Sequence, residues 1–143
     1  MNYLLLISLL LSSCFDSCQK TKIDPHSELF TVKYTYDKSS QLLLVNVELR
    51  KDMHAYAAGE KIGKPVDLHI EEKNGWRILS EPQIPLGKEK IIAGISSVLL
   101  DKNFTIKQYL QAGDDETTAS LFIQVCSEDF CSKPQVYVFN IKN

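Results

Sequence analysis

Between Glu28 and Ile141 apolar residues recur at every second position in short runs, and this alternation excludes most folds open to a chain of 143 residues. Successive side chains of a strand point to opposite faces, so a period of two marks a strand with one buried face. The run ELFTVKYTY sets Phe30, Val32, Tyr34 and Tyr36 against Thr31, Lys33 and Thr35. QLLLVNVELR places Leu43, Val45, Val47 and Leu49 on one face. Shorter runs at 53–57, 66–70, 76–79 and 91–95, and longer ones at 104–110, 118–125 and 135–141, continue the pattern. No segment carries a 3.6-residue apolar stripe over ten or more positions, so no helix is expected. Turn chemistry separates the runs: Asp37 to Ser40, Asn74-Gly75, Pro82 to Gly87, and Ala112 to Asp115, the last expected to close a hairpin between the two strands before Cys126. About eight or nine short strands in roughly 115 residues predict an all-β fold, an antiparallel β-sandwich in one domain over 28–143. A domain of that size buries about two-thirds of its unfolded surface and needs no disulfide to hold a core.

The N-terminus has a different character. Its apolar run, Tyr3 to Leu11, is too short to span a bilayer, which takes roughly 20 residues, but suits a secretion signal. Leu11-Ser12-Ser13-Cys14 resembles a bacterial lipobox, although Met1-Asn2-Tyr3 before it carries no Lys or Arg. Residues 1–13 are therefore expected to be a lipoprotein signal peptide and Cys14 the acylated residue. Residues 14–27 are polar and contain Pro25. They read as a tether spanning about 20 Å. The expected location is extracytoplasmic, on the periplasmic face of a bacterial membrane with the lipid as anchor, where disulfides persist. A formal net charge of −2, with basic residues scattered, offers no field for nucleic acid.

Four cysteines remain to be placed. With Cys14 carrying lipid, Cys126 and Cys131 can pair and Cys18 is left over. A disulfide closing a six-residue loop stabilises by only about 2 kcal/mol, against nearly 5 for a loop of about 100 residues, so as a staple it is weak. Glu128 and Asp129 between the sulfurs disfavour a thiolate, while Lys133 just beyond favours one. Zinc would have to recruit His54, His69, Cys126 and Cys131, whose spacing is not that of a zinc knuckle. Asp114-Asp115-Glu116 reads as a solvated turn, and Trp76 as a core anchor.

The residues around the cysteines resemble a known family. Phe122-Ile123-Gln124-Val125-Cys126, then Cys131 and Pro134, is similar to the active-site segment of the N-terminal periplasmic domain of the thiol:disulfide interchange protein DsbD. Met53-His54-Ala55-Tyr56, Gly63-Lys64-Pro65-Val66 and Asn74-Gly75-Trp76 with Pro82 and Pro85 resemble further motifs of that family, in the same order. The resemblance runs from about Leu49 to Ile141 and implies an immunoglobulin-like sandwich. It implies a catalytic pair in which Cys131 links to partners and Cys126 resolves the mixed disulfide. His54, Tyr56, Gln124, Glu128, Asp129, Phe130 and Pro134 would be neighbours of that site. Two features depart from the family's best-known member: the cysteine spacing is one residue shorter, and the stretch from Lys90 to Ile95 lacks the aromatic that caps the sulfurs there.

The expected function is thus extracytoplasmic thiol–disulfide interchange of the protein-disulfide reductase type, passing reducing equivalents between proteins through Cys126 and Cys131. The implied partners are thioredoxin-like or membrane-embedded thiol–disulfide proteins, with the bilayer engaged through Cys14. No cofactor, metal or nucleic acid is implied. The rival reading is a non-catalytic binding or structural lipoprotein whose disulfide only supports the fold.

Overall fold

The computed structural model describes residues 29–92 and 94–143. The signal segment, Cys14, the tether and Cys18 lie outside the described residues. Every regular element among the described residues is a strand: β1 (Phe30–Asp37), β2 (Leu42–Leu49), β3 (His54–Tyr56), β4 (Asp67–Ile70), β5 (Arg77–Ile78), β6 (Lys88–Ile92), β7 (Ile95–Leu100), β8 (Phe104–Gln111), β9 (Thr117–Ile123), β10 (Val125–Cys126) and β11 (Gln135–Ile141).

The strands form three antiparallel sheets ordered β1-β2-β8-β5, β11-β9-β4 and β10-β3-β7-β6. The first two supply the sandwich core through their alternating faces: Leu43, Val45 and Val47 from β2, Ile106 and Leu110 from β8, Ala119, Leu121 and Ile123 from β9, and Ile141 from β11 are essentially inaccessible to solvent. Each Val, Leu or Ile among them contributes about 1.5–3 kcal/mol on leaving water, which is why the period-two pattern fixes the faces. Tyr34 of β1 lies 4.2 Å, centroid to centroid, from Phe139 of β11 and donates to the Asn140 carbonyl, joining the layers.

The expected alternation of β1, β2, β8 and β11 is present in their pairing and burial. Two local expectations are corrected. Residues 112–115 do not close a hairpin, because β8 pairs with β2 and β5 while β9 pairs with β11 and β4; the segment crosses from one sheet to another. The run 91–95 is not one strand but the end of a β6–β7 hairpin, where Ile92 pairs with Ile95 and Gly94 takes φ +80°. Ile95–Leu100, whose Ser-Ser pair hides its alternation, is the strand that follows.

The two ends of the sandwich close differently. At one end Lys73, Asn74, Gly75 and Trp76 make a turn with φ +52° at Asn74 and +83° at Gly75, closed by Trp76 N donating to the Lys73 carbonyl. The 112–116 crossover lies on this turn. Gly113 approaches so closely that an added Cβ would sit 2.1 Å from the Asn74 carbonyl oxygen. At the other end lies the small sheet β10-β3-β7-β6, which carries the cysteines.

Candidate functional site

The cysteines sit on an excursion from the β9–β11 pairing. Ile123 pairs with Gln135, and the chain between them leaves the sheet to form a hairpin of its own. Gln124 is the point of departure: strand pairing stops there, and Val125 and Cys126 pair instead with Ala55 and His54 of β3. Its amide donates to the Ser132 carbonyl at 3.0 Å, and its side-chain oxygen accepts from Lys64 N at 2.9 Å. Ser132 N donates to the Val125 carbonyl and Ser127 N to the Phe130 carbonyl. Cys126 and Cys131 therefore face one another across an antiparallel bridge, at the kind of position where side chains approach most closely. They form a disulfide with Cα atoms 4.0 Å apart. The tip is turned by Ser127, whose hydroxyl accepts from Asp129 N and Phe130 N at 3.1 and 3.2 Å.

The two sulfurs occupy different surroundings. Cys126 is fully buried, in a small cluster with Tyr56 and Leu99, whereas Cys131 is exposed. The Tyr56 hydroxyl donates to Cys126 Sγ at 3.2 Å and lies 3.6 Å from Cys131 Sγ. Burial and the nearby Glu60 charge raise the Tyr56 phenol above its ordinary range, so it keeps its proton at neutral pH and remains a donor. The His54 ring meets Tyr56 edge-on, 5.7 Å between centroids. Burial, reinforced by the Lys90 charge, pushes the imidazole below its ordinary value against the pull of Asp101 and Glu60. Both effects favour the neutral imidazole.

Tyr56 is held by a second layer that the sequence did not disclose. Gly63 lies flat on its ring, where a Cβ would fall 2.2 Å from the ring carbons. Gly63 is in turn fixed by Glu60, whose carboxylate accepts from the backbone N–H groups of Ile62 (2.9 Å), Gly63 (3.4 Å) and Val98 (2.6 Å). Burial raises the Glu60 carboxyl, but these donors outweigh it and hold the group below its usual range. A carboxylate serving three backbone amides on two segments clamps the 60–63 loop to β7. Charge-assisted bonds of this kind are the stronger sort.

A groove of about 730 Å³ opens over Cys131, lined by His54, Tyr56, Lys90, Ile91, Ile92 and Phe130 among others. Ile91 is 79 % and Phe130 47 % exposed. The stretch 90–95 indeed offers no aromatic to the sulfurs. The aromatic at this rim comes instead from Phe130, in the loop between the cysteines. Lys90 of β6 pairs with Asp101, just after β7, at 2.9 Å.

The residues singled out from the sequence thus separate into groups. Cys126, Cys131, His54 and Tyr56 come together with Glu128, Asp129 and Phe130 around the groove. Gln124 anchors the hairpin rather than facing the sulfurs. Pro134 lines a separate recess with Pro65, Phe122 and Val136. His69 lies on β4 in a different sheet from His54, so the zinc set is not assembled. Glu60 was missed because a lone Glu before Lys-Ile-Gly carries no periodic signal. Gly63 was visible only as part of a turn motif.

Chemically, one buried sulfur beside a phenolic donor and one exposed sulfur at a groove make an asymmetric disulfide. An incoming thiolate can reach Cys131, and the sulfur then expelled, Cys126, has a proton donor at hand.

The sequence matches the family model described as thiol:disulfide interchange protein DsbD, N-terminal, over residues 20–143. Solved structures with the same fold include the reduced N-terminal domain of DsbD from Neisseria meningitidis, at 13% identity and TM-score 0.63, covering 85% of this chain and 90% of that one. The N-terminal periplasmic domain of ScsB from Proteus mirabilis matches at 22% identity and TM-score 0.63; the alignment covers 83% of this chain and 48% of that one. A complex between the DsbD and PilB N-terminal domains of Neisseria meningitidis also matches, at 12% identity, TM-score 0.61, and coverage of 83% and 87%. No curated protein matches the sequence. The fold is the immunoglobulin-like sandwich of these domains.

Proposed function

We propose, from the premise that this chain belongs to the family of DsbD N-terminal domains, that Cys126 and Cys131 pass reducing equivalents between partner proteins. Thiol–disulfide exchange is the family's activity; the roles of individual residues here are our assignment. A partner thiolate attacks Cys131 Sγ, the Cys126–Cys131 bond breaks, and Cys126 leaves as a thiolate that the Tyr56 hydroxyl stabilises until it takes a proton. The partner's second thiolate then attacks its own sulfur in the mixed disulfide and releases Cys131. Two electrons and two protons have moved from a partner dithiol to this pair, and the partner is left as a disulfide. The same steps in reverse deliver them onward.

The observation that carries this reading is the asymmetry of the pair: Cys131 exposed at a groove, Cys126 buried 3.2 Å from a phenol. Partners of the required chemistry are thioredoxin-like or membrane-embedded thiol–disulfide proteins, in keeping with the solved complex of a DsbD N-terminal domain with a PilB N-terminal domain. An extracytoplasmic setting is supported by the periplasmic origin of the ScsB domain. In our reading, cleavage after residue 13 and acylation of Cys14 anchor a domain of residues 28–143 through the 14–27 tether. The test is the reduction potential of the pair together with trapping by Cys126→Ser. Mixed disulfides at Cys131 and a potential above about −300 mV are expected. A lower potential with no trapped partner would return the bond to the structural class, a reading favoured only by the packing of Cys126 against Tyr56 and Leu99.

A further inference from the structure

The chain enters the sandwich at the end that carries the disulfide. The Leu29 carbonyl accepts from Arg50 N at 3.0 Å, and Phe30 pairs with Leu49. His54 follows closely on that segment and is the register partner of Cys126. Leu49, Arg50, His54 and Ser127–Asp129 line one continuous groove of about 620 Å³. The opposite end holds the 37–41 turn, Gly113 and the C-terminal Asn143, whose amide donates to the Gly113 carbonyl at 2.8 Å. The eight residues of β1 separate the two ends by about 25 Å.

A tether joined at Leu29 therefore reaches the sandwich at the end that carries the disulfide. We infer that the lipid anchor turns the disulfide end toward the bilayer, so that the exchange partner carries its dithiol at the membrane surface rather than diffusing freely. The inference rests on the acylation of Cys14 proposed above. A coil of the tether's length would span roughly 20 Å, which would keep the groove within reach of a group standing just above the headgroups. Entry at the far end would have lifted the sulfurs by the length of β1 as well. Charge has no share in the orientation: the entry groove is lined by four basic residues (Arg50, Lys51, Lys90, Lys102) and four acidic ones (Asp52, Asp101, Glu128, Asp129). The orientation should then be insensitive to salt, unlike one set by a polybasic patch.

The test uses the full chain as the cell processes it, mixed with phosphatidylcholine–phosphatidylglycerol vesicles whose headgroups carry an energy-transfer acceptor. With Cys18→Ser as background and the disulfide intact, a donor dye is placed by Lys51→Cys at the disulfide end or by Lys38→Cys at the far end. Transfer from position 51 should exceed that from position 38 by about twofold or more, given the length of β1, and the difference should persist from low to high salt. Equal transfer, or the reverse order, in a chain that is vesicle-bound overturns the orientation alone. A chain that never partitions into membranes overturns the anchoring reading, and this inference with it. A second measurement is independent of labels. Inserting a Gly/Ser stretch of about 20 residues into the tether should slow reduction by a vesicle-linked dithiol about fourfold, from the −3/2 power dependence of effective concentration on length. Reduction by the same dithiol in solution should be unchanged. Equal slowing of both, or of neither, counts against the membrane-facing site.

Discussion

The two ends of this sandwich are closed by contrasting means. At the far end Trp76 is 2 % exposed; its indole N–H donates to the Asp115 carbonyl, and Tyr36 meets it edge-on at 5.0 Å. Asp114 N donates to the Asn74 carbonyl, and Gly113 lies against the same atom. These are packing contacts and backbone hydrogen bonds. At the near end a ring is held by Gly63, Gly63 by Glu60, and the hairpin is shut by a bond that a thiol can open. The two ends thus divide packing from reactivity: the far one is closed by a buried aromatic and backbone contacts, the near one by a bond that exchange can open.

That division can be broken by experiment. Trp76→Ala should cost about 3–5 kcal/mol in denaturant unfolding, the usual loss for a buried aromatic truncated to a cavity. Replacing both Cys126 and Cys131 by Ser should cost about 2 kcal/mol, the loop-entropy value for so short a closure. A loss as large as that of Trp76→Ala would erase the contrast and make the disulfide a structural bond.

Two substitutions act at the near end. Tyr56→Phe removes a hydrogen bond worth about 1 kcal/mol and with it the donor facing Cys126. Reduction by a soluble dithiol should slow roughly fivefold, since about 1.4 kcal/mol is tenfold in rate, while far-UV circular dichroism stays unchanged. An unaltered rate would remove the phenol from the exchange step. Glu60→Gln should have the smallest effect at neutral pH and show mainly in the pH dependence. The folded carboxyl lies below its unfolded value of 4.5, so it contributes stability above that pH, which is lost as pH falls through the folded value. The variant should be less stable at pH 7 and lose less on acidification below 4.5 than the parent protein. Parallel stability curves for the two would show that the clamp is not electrostatic.

Much of the large sheets was legible in the sequence because burial of one face forces period-two spacing. Leu43, Val45 and Val47 announce β2 without any neighbour being known. What spacing cannot supply is which strand lies beside which. Gly113-Asp114 serves a hairpin and a crossover equally well, since both need a tight, polar turn; the partner is decided by packing, here of Gly113 against Asn74 and Trp76. The run 91–95 misled because a strand and the end of a two-strand hairpin share the same apolar residues. At the site, the cysteines, Tyr56 and His54 were recognisable from short motifs. Glu60 was not, because its role depends on amides of the 60–63 loop and on Val98, which only the folded chain brings together.

The excursion between Ile123 and Gln135 leaves the pairing of its flanking strands undisturbed. Because β9 and β11 pair up to its base and resume their own register regardless of it, residues can be gained or lost at the Ser127–Phe130 tip without moving any core position. Surface loops tolerate such changes at low entropic cost. Loop length is then a local variable, available for tuning exchange independently of the scaffold. Chimeras that graft tips of different length onto this base would show how far the one can change while melting temperature holds.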